Sequence, residues 1–291
     1  DWSSDVCSSD LISTYNLSIP TRIKRFRVLS SIGRTLNSIV CVVQMPGSNQ
    51  RMAVKLIHHN MISFERIEKE CQLQSSLKHS YIMPLHNYFD FQDFRVLLMP
   101  RAIGGSLIDH SVIKGMNPKS VGKLMFRILK GVHYMHSEMV LHGDLKPGNI
   151  VLEGLDTEEP HPRIIDFGHA CKLNGKDDKC NCHLMTCVFS SPEVLGLQPH
   201  GFESDIWSLG VTFFFLITRK DIISVKRVDE MYREAMNLKI SFQEREWKNY
   251  PTTLKLLILQ MLNRDPLKRP SAEQCLNNQF FIEFLGKEWI K

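Results

Sequence analysis

Asp144, Lys146 and Asn149 stand at offsets of zero, two and five in His142-Gly143-Asp144-Leu145-Lys146-Pro147-Gly148-Asn149, between the apolar runs Val140-Leu141 and Ile150-Val151-Leu152. The flanking runs read as strand ends and the stretch between them as a loop. On that loop a carboxylate can accept a hydroxyl proton, an ammonium can neutralise a phosphoryl oxygen, and a carboxamide oxygen can ligate magnesium. The trio suits phosphoryl transfer. Fourteen residues after Ile150, Ile164-Ile165-Asp166-Phe167-Gly168 repeats the form, an apolar strand ending in a carboxylate.

In this order the two loops resemble the catalytic loop and the Asp-Phe-Gly motif of eukaryotic protein kinases of the serine/threonine type, with Gly143 where that family carries arginine. The resemblance implies an α+β bilobal fold: a small antiparallel β-sheet lobe with one main helix, and a larger, mainly helical lobe. Its motifs run from Gly33 to about Phe281. They imply a leader over residues 1–25, a small lobe and hinge over 26–102, a large lobe over 103–285 and a tail over 286–291. The implied cofactors are ATP and Mg²⁺, with Mn²⁺ as a substitute.

The elements that must position this chemistry begin at Phe26-Arg27-Val28-Leu29, a strand leading into a hairpin with Gly33, Thr35 and Ser38. The family places three glycines there, so that backbone N–H groups approach the ATP phosphates closely. Gly33 keeps the first place, while Thr35 and Ser38 take the other two, so the hairpin is expected to be stiffer or less closely applied. Met52-Ala53-Val54-Lys55-Leu56-Ile57 alternates like a strand and sends one lysine inward, where a buried ammonium needs partners. The resemblance supplies them as the ATP phosphates and Glu70, on a helix over residues 64–77. One turn beyond Glu70, a position the family keeps apolar in a stack with Leu85, Phe167 and His142 holds Gln74. An amide there costs about 1–3 kcal/mol unless it is hydrogen-bonded.

By the same resemblance Met99 guards the back of the adenine pocket, and Pro100 and Ala102 offer hinge backbone groups to adenine. Val40, Ala53 and Val151 sandwich the ring. The catalytic group is Asp144, Lys146, Lys55 and Glu70, and the metal ligands are Asn149 and Asp166. Asn117-Pro118 caps a helix with apolar positions from Val121 to Val132. Asp205 is expected to accept backbone N–H bonds from the loop of Asp144, and Glu193 to pair with Arg269. The acidic segment 153–160 receives no function.

Lys146 and Thr186, the latter expected to bond Asp144 and Lys146, point to Ser/Thr rather than Tyr acceptors. Basophilic relatives carry acids where this chain has Ser106, Gly148 and Phe215, so no strong arginine preference is expected. Regulation reads unusually. Gly143 cannot receive an activating phosphate, and residues 169–185 contain no Ser, Thr or Tyr. The implied activity is ATP-dependent phosphorylation of Ser/Thr hydroxyls in protein substrates, independent of activation-loop phosphorylation and set by expression, a regulatory partner or segments upstream. The competing reading is a pseudokinase scaffold, favoured by the two missing glycines, Gly143 and Gln74.

Composition bounds the alternatives. The chain has 291 residues, 43% hydrophobic and 23% charged, with a net charge of +5. The densest basic run, Arg22 to Arg27, reads as a solvated surface, so neither nucleic-acid binding nor membrane insertion is expected. Eight cysteines without a signal peptide read as reduced thiols of an intracellular protein, cytoplasmic or nuclear. Cys180, Cys182 and His183, with Cys171 and Cys187 nearby, have ligand types for zinc but lack the usual spacing, and reduced thiols in a loop are the preferred reading. Asp177-Asp178 reads as a solvated turn rather than a phosphate mimic. Residues 1–11 resemble a translated sequencing adapter, and on that reading the natural amino terminus is expected to lie outside this sequence.

Overall fold

The computed structural model describes residues 20–35, 37–109, 113–114, 116–181, 187–225 and 227–289. It divides into one unit of Asp1–Lys78 with Met83–Ala102 and a second of His79–Ile82 with Ile103–Lys291. The first is an antiparallel sheet with one main helix and the second is mainly helical, the bilobal α+β arrangement.

In the first unit β1 (Arg22–Ile23), β2 (Phe26–Arg34), β3 (Ser38–Gln44), β4 (Arg51–His58), β5 (Asn87–Phe91) and β6 (Phe94–Pro100) form a sheet of order β1-β2-β3-β4-β6-β5. Alternation along β4 divides its side chains between two faces. Met52, Val54 and Leu56 pack with Cys41, Val43, Val96 and Leu98 beneath Ile23 and Phe26. Ile57 turns the other way, onto Leu97 and the helix α1 (Phe64–Ser76), and by period Ala53 and Lys55 share that face. Ser63 caps α1 by accepting from Arg66 N.

The buried stripe of α1 includes Ile67, Glu70, Cys71, Leu73 and Gln74, so two polar side chains stand where the helical period calls for apolar ones. Each has a partner. Glu70, 3% exposed, meets Lys55. Gln74, 2% exposed, donates from Nε2 to Met83 O at 3.1 Å and lies 3.4 Å from Met99 Sδ. The amide expected to be costly is thus satisfied.

Nearer its start, α1 is tied to the sheet by Arg95, itself 4% exposed. Its Nη1 donates to Glu68 at 2.9 Å and its Nε to Asp90 at 2.7 Å, while the guanidinium lies over the rings of Phe64 and Tyr88. Burial alone would raise the Glu68 carboxyl, but hydrogen bonds from Arg95 and Gln72 hold it below the usual range.

In the second unit α2 (Pro118–Ser137) begins at Asn117, whose side chain accepts from Ser120 N. Its buried positions, Val121, Leu124, Met125, Ile128, Leu129, Val132 and Met135, follow the helical period. Downstream, α3 (Pro192–Leu195) precedes α4 (Phe202–Thr218), which is buried nearly all round and so is central to this unit. Later helices are α5 (Val228–Met236), α6 (Thr252–Met261), α7 (Ala272–Leu276) and α8 (Gln279–Leu285). Two short sheets position the loops: β7 (Val140–Leu141) pairs with β10 (Cys171–Lys172), and β8 (Ile150–Leu152) with β9 (Pro162–Ile164). The acidic segment before β9 docks on α2, where Glu159 pairs with Lys123 and Arg127, and Arg127 Nη1 donates to Pro160 O at 2.7 Å.

Arg269 and Glu193 form a bidentate pair at 2.6 and 2.8 Å, with the arginine side chain fully buried. Burial would raise the Glu193 carboxyl, but the hydrogen bonds and charge of Arg269 outweigh it and hold it low. Replacing Arg269 by Ala strands a buried carboxylate, so urea unfolding near pH 7 should show a loss of about 3–5 kcal/mol. Because the folded-state pKa is depressed, the carboxylate's contribution is present above the ordinary glutamate range and fades as pH falls through the folded value. The gap between parent and variant should therefore narrow in acid; a gap that widens would contradict the pairing.

Candidate active site

The first unit holds one group of the candidate residues. Lys55 Nζ lies 2.6 Å from Glu70 Oε1. Cross-strand register sets Val40 opposite Lys55 and Ala53 opposite Met99. Pro100 ends β6, and Ala102 follows it in irregular backbone. Gly33 pairs with Val40, and a Cβ built there would meet only Val40, at an ordinary 3.7 Å. The sheet itself does not demand glycine at 33; its missing side chain leaves backbone open, which suits the close approach of a phosphate.

At the hairpin tip the residues in place of glycines bond to each other. Thr35 Oγ1 and Ser38 Oγ are 2.9 Å apart, Ser38 N donates to Thr35 Oγ1 at 3.1 Å, and Thr35 N donates to Ser38 O at 2.8 Å. The hairpin is closed by its own hydroxyls, and the Ser38 N–H is directed inward to one of them.

The second unit holds the other group. Lys146 Nζ donates to Asp144 Oδ2 at 2.6 Å, and Asn149 Nδ2 donates to Asp144 O at 2.8 Å and Oδ2 at 2.9 Å. With its amide hydrogens engaged in the loop, Asn149 presents Oδ1 as its remaining polar atom. Asp166 lies on the next loop, tied to the first by Ile165 N donating to Asn149 O at 2.9 Å. A carboxamide oxygen beside a carboxylate loop is a hard-donor set of the kind Mg²⁺ uses, one or two protein ligands with the rest from phosphate and water. Val151, in β8, is half-buried opposite Arg163.

Both loops hang on buried groups. Asp205, 1% exposed, accepts at Oδ2 from His142 N at 2.9 Å and at Oδ1 from Gly143 N at 3.0 Å, with His136 Nε2 also 2.9 Å from Oδ2. Burial would raise this carboxyl, but the bond and charge of His136, with the charge and backbone N–H of His142, hold it low. The His142 ring bonds Ile165 O at 3.1 Å and lies 5.3 Å from the Phe167 ring, joining one loop to the other.

Sequence reasoning did not single out His136 or His169, whose Nδ1 lies 3.8 Å from Asp144 Oδ2. The signal for His169 was its place directly after Gly168; His136 had none beyond ending α2. Thr186, Cys182 and His183 lie outside the described residues. Among the described residues no three His, Cys, Asp or Glu side chains cluster as metal ligands, no disulfide forms, and no helix is long and apolar enough to cross a membrane. Asp178 accepts from Asn174 N and Lys179 N, as a turn residue does.

A family model for the protein kinase domain matches residues 26–281. The chain is 31% identical over 265 residues to a probable myosin light chain kinase of Dictyostelium discoideum, covering 89% of this chain and 67% of the relative. It is 29% identical over 285 residues to the serine/threonine-protein kinase PLK4 of Danio rerio, covering 92% and 28%. With the calcium/calmodulin-dependent protein kinase cmkA of Emericella nidulans it shares 29% over 255 residues, covering 86% and 61%. The chain thus spans between about a quarter and two thirds of these relatives.

Gly143 has φ +77°, and a Cβ there would sit 2.8 Å from His169 O. Left-handed backbone alone costs a non-glycine residue about 1–2 kcal/mol, and the carbonyl must also shift. Gly143→Ala should lower the unfolding free energy by at least about that amount. Equal urea midpoints for Gly143→Ala and the parent would show the close approach to be without consequence.

Proposed function

The chain belongs to the protein kinase family, and on that footing we propose that it transfers the ATP γ-phosphoryl group to Ser or Thr hydroxyls of protein substrates. The observation that carries this reading is the convergence of Lys146 Nζ and Asn149 Nδ2 on the Asp144 carboxylate. Asp144 orients the acceptor hydroxyl and takes its proton as the oxygen attacks the γ-phosphorus and the bond to the β,γ-bridging oxygen breaks. Lys146 neutralises charge on the transferred group. Lys55, held by Glu70, orients the α- and β-phosphates. Val40, Ala53 and Val151 are assigned to the adenine ring, Met99 to the back of its pocket, and Pro100 and Ala102 to its polar edge. Asn149 and Asp166 would hold Mg²⁺ or Mn²⁺, which when bound neutralises phosphate charge. The pseudokinase reading draws on the hairpin, where the Ser38 N–H is already bonded to Thr35 and Gly33 alone keeps its place.

We further propose that activity does not await phosphorylation of the activation segment. Its described part before residue 182 bonds to neighbouring elements. Leu173 N donates to Met139 O at 2.8 Å, Cys180 and His200 exchange backbone bonds of 2.8 and 3.0 Å, and Lys179 pairs with Glu203 at 3.1 Å. Gly143, in the place of the phosphate-receiving arginine, fits such a device.

Asp144→Asn should reduce turnover at least about 10²-fold with ATP affinity nearly unchanged, because the carboxylate acts on the hydroxyl. Radiolabel transfer to a generic protein substrate, with Mg²⁺ and then Mn²⁺, reads the rate, and calorimetry reads the affinity; wild-type turnover in the variant sinks the assignment. For regulation, protein from a kinase-free host is divided and half is treated with a phosphatase that is then removed. Equal initial rates are expected. A loss restored by phosphate at a residue between Gly168 and Glu193 overturns the proposal.

A further inference from the structure

The positive charge of this chain is not spread evenly. Residues 11–64 contain seven Lys or Arg and no Asp or Glu, a local charge of +7 against +5 for the whole chain. Lys55 is spoken for by Glu70, and the other ion pairs described in the first unit belong to Arg95 and His59, with Glu68 and Asp90. Arg22, Lys24, Arg25, Arg27 and Arg51 are all exposed and take part in none among the described residues.

The fold concentrates these cations. Ile23 and Phe26 are buried, which turns Arg22, Lys24, Arg25 and Arg27 outward on the β1–β2 hairpin. Register sets Arg22 opposite Arg27, and like charges facing each other across a strand pair are unfavourable. Beside them lies an open cleft of ≈ 440 Å³ lined by Arg25, Arg27, Gln44 and the turn 45–49. Gln44 Nε2 braces that turn by donating to Ser48 O at 3.1 Å and Asn49 Oδ1 at 3.4 Å, and Ser48 Oγ accepts from Gln50 N at 3.0 Å. Two guanidinium groups therefore border a concave, braced, polar surface, in a neighbourhood whose own sequence supplies no anion.

We propose that this cleft is a docking site for a phosphorylated segment of a partner protein, with the phosphate received by Arg25 and Arg27. A phosphomonoester carries nearly two charges and three acceptor oxygens, which guanidinium forks match in pairs. Bound there, it also offsets the Arg22–Arg27 repulsion. The lining favours this ligand over other polyanions. No exposed ring lines the cleft for a base to stack on, since Phe26 is buried and Lys24 covers Phe89 at 4.0 Å. Nor does a large exposed apolar side chain line it to enter a bilayer; Leu29, Ile32 and Phe64, the exposed ones described in this unit, lie elsewhere. The site is separate from the residues assigned to phosphoryl transfer and does not depend on that assignment.

Fluorescence anisotropy tests this on the whole chain with a labelled acidic peptide carrying one phosphoserine and its unphosphorylated counterpart. Phosphorylation should tighten binding at least about tenfold. The Arg25→Gln, Arg27→Gln double variant should lose that difference, while Lys119→Gln, Lys255→Gln, in the other unit, should keep it. Circular dichroism establishes that each variant is folded, and the parent alone gives a second reading through competition by an unlabelled phosphopeptide. Equal affinity for the two peptides, or an unchanged preference in the Arg25/Arg27 variant, overturns the proposal. So does stronger competition by phosphatidylinositol bisphosphate vesicles or by an oligonucleotide than by the unlabelled phosphopeptide.

Discussion

The carboxylate of Asp205 sits near the start of a helix with almost no solvent around it, and the loop carrying Asp144 is suspended from it. Its burial is tolerated because three donors converge on it: the N–H groups of His142 and Gly143, and the ring of His136. The dependence runs outward from there. Helix α4 must be buried all round to keep water from the carboxylate, α2 must deliver His136, and His142 must bond Ile165 O to carry the arrangement to the second loop. The Glu193–Arg269 pair extends the same support, since Arg269 Nη1 also donates to Glu203 O, two residues before Asp205.

Much of this was legible in the sequence because the informative residues violate their local pattern. Lys55 interrupts an apolar strand and so announces a buried partner, whereas Glu70, one of three glutamates on its helix, and Gln74 stand out only against the family pattern. The bilobal α+β class followed from the family resemblance that the two loops carry. The bond from Gln74 to Met83 O was not legible, because a backbone carbonyl nine positions away leaves no mark on residue type. The Arg95 network was missed for a related reason: Glu68 and Arg95, each alone, look like ordinary surface residues. At the hairpin tip Thr35 and Ser38 read as a stiffer roof, and what residue type alone did not show is that their hydroxyls bond to each other and close the turn.

Charge shows the limit of reading totals. A net +5 over 291 residues suggests an unremarkable surface, yet strand pairing gathers one sign on the β1–β2 hairpin. Conversely, the acidic segment before β9 looked like an unassigned insertion, and its Glu159 proves to anchor it to Lys123 and Arg127 on α2. Sequence position gave no means of telling the paired charges from the unpaired ones.

Asp166 adopts φ +67°, left-handed backbone that a residue with a side chain occupies at a cost of about 1–2 kcal/mol. Its Oδ1 accepts from Gly168 N at 3.3 Å, a local bond that recovers part of that cost. Selection for stability alone would favour glycine there, which reaches the same backbone without strain. At this position thermodynamic improvement and the carboxylate proposed to hold a cation pull in opposite directions. A lineage released from phosphoryl transfer would therefore gain stability by losing Asp166, and erosion at that codon would be an early record of the release rather than a late one.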